Sequence, residues 1–78
     1  MNKRARKRVR VIQSTRDILE ARSEITLGSL VYELDRRLPY TLDRVCVSMI
    51  LARAAGIVAV KHKVEGCRFT VYTLGDDS

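Results

Sequence analysis

His62 is the only histidine of a 78-residue chain, and it stands between Lys61 and Lys63. No serine or cysteine stands with it in an obvious nucleophile–base arrangement. Cys46, His62 and Cys67 are zinc-ligand types. They include no closely spaced cysteine pair and no evident fourth ligand, so no metal site is expected. Asp17, Asp35 and Asp43 each adjoin an arginine (Arg16, Arg36, Arg44) and read as solvated helix surface rather than acid–base pairs. No glycine-rich phosphate loop is present. The expectation is a protein with no catalytic residues and no cofactor.

The chemistry the chain does carry is positive charge. Residues 1–10, MNKRARKRVR, hold Lys3, Arg4, Arg6, Lys7, Arg8 and Arg10 and no acid. Of 15 Lys and Arg in all, nine remain for the rest of the chain, against nine Asp and Glu. The net charge of +6 therefore belongs to the N-terminal segment. Such a segment suits phosphates or a minor groove. A solubilising tail, or a patch for ribosome or membrane contact, is the alternative. A second cluster, Lys61, His62, Lys63 and Arg68, lies further on. No run of 18 apolar residues predicts a membrane span. The basic N-terminus lacks the apolar stretch of a secretory signal. The two cysteines fit buried free thiols in a reducing cytoplasm.

The elements that must position these groups follow from pattern. Residues 1–12 read as a basic arm, 13–74 as one small domain and 75–78 as a short acidic tail. Ser14 and Asp17 resemble a capping box opening a helix over residues 15–22. The rival reading is one helix from Lys3 to Arg22, opposed in its first half by like charges four residues apart. Residues 23–26 read as a small strand. Thr26 caps a second helix whose Leu27, Leu30, Val31, Leu34 and Leu38 share one face. Pro39 helps to end it. Thr41 is the expected cap of a third helix, which Gly56 closes. Val58 and Val60 then alternate with Ala59 and Lys61 as a strand, Glu65-Gly66 turns, and CRFTVYTL returns. Phe69 and Val71 are expected inward and Tyr72 partly exposed.

From about Ser14 to Leu74 the chain resembles a winged helix-turn-helix domain. The resemblance rests on ITLGSLVYEL, TLDRVCVSMILARAAGIV and KHKVEGCRFTVY, with the Ala55–Val58 junction between the last two. It implies an α+β fold of three helices with a small antiparallel sheet and hairpin wing. It also implies a third helix in the major groove with the wing beside it. Small stand-alone domains of this kind are common in phages, plasmids and archaea. Related folds also serve as protein-contact modules and in one ribosomal protein family.

Periodicity directs Leu42, Val45, Met49 and Ala52 of the third helix to the core. Thr41, Arg44 and Ser48 are then its polar readers of base edges. Val47 and Ile50 form an apolar stripe on the outer side, a protein or dimer contact if exposed. The expected function is a small cytoplasmic DNA-binding regulator of transcription, acting as a homodimer. Its contacts would be the six arm cations, Thr41, Arg44, Ser48, Lys61, His62, Lys63 and Arg68. The alternatives are docking onto a protein partner through Val47 and Ile50, and ribosomal-type RNA binding.

Overall fold

The computed structural model describes residues 3–75, so Met1, Asn2 and most of the acidic tail lie outside it. The chain is α+β, with three helices and a three-stranded antiparallel sheet. The first helix, α1 (Lys3–Arg22), is continuous over 20 residues. The shorter helix expected behind Ser14 is therefore corrected, and the rival reading holds. Ser14 lies in mid-helix, and Asp17 accepts a hydrogen bond from Gln13 Nε2 at 3.1 Å instead of closing a cap. Lys and Arg are good helix formers. Val11, Thr15, Ile18 and Leu19, all buried, anchor the inner face of α1. The Thr15 hydroxyl satisfies itself by donating to the Val11 carbonyl at 2.7 Å, one turn back.

The chain leaves α1 through Ser23, at φ 71°, and enters β1 (Glu24–Thr26). The Thr26 side chain then caps α2 (Leu27–Arg37), accepting from the Ser29 N–H at 3.3 Å. Leu30, Leu34 and Leu38 are buried, with Leu27 and Val31 packed against them, as the spacing predicts. Glu33 of α2 faces Arg22 of α1 at 3.7 Å and Arg36 at 3.9 Å, ion pairs open enough to contribute little.

The third helix, α3 (Arg44–Ala52), begins later than expected. Asp43, not Thr41, is its cap and accepts from the Cys46 N–H at 2.7 Å. The Thr41 hydroxyl instead donates to Asp35 Oδ1 at 2.9 Å. The carboxylates expected beside arginines are thus engaged elsewhere, Asp17 by Gln13, Asp35 by Thr41 and Asp43 by the α3 backbone. Arg16 reaches from α1 to donate to the Ala55 carbonyl, tying α1 to the junction after α3.

Gly56 does not close α3, which ends at Ala52 with the Arg53 N–H donating to the Ile50 and Leu51 carbonyls; Gly56 instead takes φ 80° in the turn from which β2 (Ile57–Val64) starts. Glu65 and Gly66, at φ 50° and 83°, form the tight turn into β3 (Cys67–Leu74). Positive φ at both positions is the geometry that fits the twist of a two-residue hairpin. The sheet order is β1-β3-β2, so the last strand lies in the middle. Ile25 pairs with Tyr72, and Tyr72 with Ala59. Tyr72 is 2% exposed and is the largest fully buried side chain, while Phe69 is 39% exposed. This reverses the expected orientation of β3. The central strand buries the face where Ile25, Ile57 and Tyr72 meet the helices, and strand alternation puts Phe69 and Val71 on the opposite face.

Candidate functional site

At about 100° per residue, Arg4, Lys7 and Arg8 lie on the same side of α1 as the buried Val11, Thr15 and Ile18. The core stripe thus continues as a cationic stripe. Lys3, Arg6 and Arg10 turn toward a flank. Lys7 Nζ stands 4.9 Å from the centroid of the Tyr40 ring, a cation–π contact that holds this half of α1 over the α2–α3 connection. The Tyr40 hydroxyl is buried and, among the described residues, has no hydrogen-bond partner.

Between this stripe and α3 runs a groove of about 450 Å³. Arg4, Lys7 and Arg8 form one rim, and Arg53 stands on the other side, just past α3. Leu42, Cys46, Met49 and Ile50 supply the apolar lining. No acidic side chain of the described residues lines it. The first turn of α1 contains no acid, so its cations also oppose the helix dipole. An anion near them would relieve that repulsion as well as the like-charge contacts along the helix.

The exposed side of α3 is not the expected one. Val47 is 0% exposed and Leu51 2%, whereas Val45 is 69% exposed and Met49 62%. Ala52 is exposed as well. Val47 is therefore core and cannot meet a partner, and Ile50 is half-buried against the core. α3 carries apolar residues nearly all round, and contact with α1, α2 and the hairpin selects which stripe is covered. Of the three expected polar readers, Ser48 is half-buried and Thr41 is held by Asp35. The Arg44 guanidinium lies over the first turn of α2, where a methyl group on Gly28 would meet its Nη2 at 3.2 Å.

The hairpin divides its chemistry between two faces. By strand alternation Lys61, Lys63, Arg68 and Thr70 share the face of Tyr72 beyond the edge of the core. With His62 and Phe69 they border a concavity of about 540 Å³. The other face carries Val58, Val60, Val64 and Phe69, all exposed. On it His62 and Phe69 stack, with ring centroids 5.2 Å apart and planes 16° from parallel. Cys67 is exposed near the turn and Cys46 half-buried in the groove, which corrects the expectation of two buried thiols. Cys67 shares the outward face with Phe69, which leaves it outside the core.

The structure thus brings Arg4, Lys7 and Arg8 beside α3 and gathers the hairpin cations at one tip. It takes Val47 out of the candidate surface and introduces Met49, Leu42 and Arg53. Among the described residues no helix is long and apolar enough to cross a membrane. No family model, curated protein or solved structure matches the chain.

Proposed function

We propose that the chain is a winged helix-turn-helix protein that binds duplex DNA and regulates transcription by occupying its site. The element order and the sheet order β1-β3-β2 support the winged-helix part of this reading. The observation that carries the binding part is the convergence of Arg4, Lys7, Arg8 and Arg53 around one side of α3, with no acid among the residues lining that groove. In this reading the α1 cations track phosphates, α3 enters the major groove, and Lys61, Lys63 and Arg68 of the hairpin hold the neighbouring backbone. Base reading is slight, because the Thr41 hydroxyl is engaged by Asp35, Ser48 is half-buried, and the Arg44 guanidinium lies beside Gly28 of α2. Affinity then comes mainly from phosphate contacts and depends steeply on salt.

The test is a salt titration of binding to random duplex DNA by fluorescence anisotropy. The full chain is compared with the triple variant Arg4→Gln, Lys7→Gln, Arg8→Gln, glutamine being a good helix former without charge. Each phosphate contact contributes about 0.9 to the log–log slope, so the variant flattens it by about 2.7. An unchanged slope, or no binding by the full chain at low salt, refutes the reading. Preference for structured RNA over duplex DNA at equal salt would replace it with the ribosomal-type alternative.

A further inference from the structure

A groove for phosphates alone has no use for an apolar floor. Leu42, Cys46, Met49 and Ile50 face the Arg4, Lys7 and Arg8 rim, and Arg53 follows Cys46 and Met49 on the same stripe at the end of α3. Met49 is 62% exposed, and flexible methionine is well suited to accept apolar side chains of varied shape. The pattern, a cationic wall facing an apolar wall that ends in a further cation, is the complement of an amphipathic helix with acidic residues beside its apolar face.

We propose that the groove between α1 and α3 is a docking site for an acidic amphipathic helix of a partner protein. Apolar side chains of that helix enter against Leu42, Met49 and Ile50, and its carboxylates meet Arg4, Lys7, Arg8 and Arg53. Charge complementarity selects this occupant. A second copy of the chain would bring a molecule of net charge +6 against the same four cations. Because docking uses Arg4, Lys7 and Arg8, the helix competes with phosphates for them. That competition rests on the DNA reading, whereas docking itself does not.

The probe is a fluorescein-labelled peptide of about 15 residues, a length at which isolated helices are marginal. It carries leucine at i, i+3 and i+7 with glutamates on both flanks. A control has serine for each leucine at the same charge. The full chain binds the leucine peptide at least about tenfold tighter than the serine peptide, and Met49→Glu weakens binding by about tenfold or more. Val45→Glu, on the exposed part of α3 that does not line the groove, leaves binding unchanged. Circular dichroism of Met49→Glu establishes that the variant is folded, and Arg8→Glu provides an independent loss from the rim. Equal binding of both peptides, or equal loss from Val45→Glu and Met49→Glu, overturns the docking site, because attraction is then by charge alone. In a separate arm the leucine peptide displaces labelled duplex DNA. Peptide binding without displacement refutes the competition and leaves the docking site standing.

Discussion

The orientation of α3 makes a quantitative prediction. Val47 is 0% exposed and Met49 62% exposed, although they lie two residues apart on one helix. Val47→Ala removes two methyl-sized groups from the core, at about 0.8 kcal/mol each for transfer. Incomplete closure of the space left behind raises the cost to about 2–3 kcal/mol. The better helix propensity of alanine returns about 0.5 kcal/mol. The net destabilisation is about 2 kcal/mol, a large share of the ~4–12 kcal/mol typical of a domain this size. It corresponds to a fall in Tm of about 8–16 °C. Met49→Ala stays within about 0.5 kcal/mol of the parent, as exposed substitutions do. Urea unfolding followed by far-UV circular dichroism reads both, with unchanged m values showing that stability alone has moved. A Met49→Ala variant as unstable as Val47→Ala would falsify the orientation and restore Met49 to the core.

The other predictions concern single contacts. Asp43→Ala costs about 1 kcal/mol in thermal or urea unfolding, because Asp43 caps α3 at 2.7 Å, while Thr41→Ala costs less than half of that. The reverse order would place the cap at Thr41. Tyr40→Phe raises stability by about 1 kcal/mol, since it deletes a buried hydroxyl that has no partner among the described residues and keeps the ring beneath Lys7. A loss of stability on urea unfolding would mean that the hydroxyl is hydrogen-bonded in solution.

Features set by local chemistry were legible in the sequence. Thr26 before LGSL, the five-residue apolar stripe of α2 and Glu65-Gly66 between two alternating runs each require only neighbouring residues. The orientation of α3 was not legible. Leu42, Val45 and Met49 make one apolar stripe and Val47, Ile50 and Ala54 another, so periodicity offers two answers of similar quality. The expected start at Thr41 was two residues early, because Asp43 caps α3 while the Thr41 hydroxyl is drawn to Asp35 of α2, a contact between elements. The same ambiguity affected β3, where Phe69 and Val71 compete with Tyr72 and Leu74 for the inner face. The central position of the strand decides it, by pairing Tyr72 with Ile25 on one side and Ala59 on the other. The first half of α1 was hidden for a different reason. Its charges argue against a helix in isolation, and its anchor, the inner stripe from Val11 to Leu19, is supplied by other elements of the fold. The cationic side of the candidate site was therefore visible as composition. Its position beside α3 was not.

The sheet order β1-β3-β2 has a consequence for the birth of the protein. β1 has only three residues, and its ladder is made with Thr73, Tyr72 and Val71. β2 pairs along its whole length with the same strand. A chain emerging from the ribosome therefore holds two orphan strands until Cys67–Leu74 are translated, and Tyr72, the largest buried side chain, arrives with them. The helices must wait with an unfilled core while a loop spanning most of the chain stays open, a closure that carries its entropic cost before any strand contact offsets it. Cooperative folding is thus deferred until the middle strand has been made.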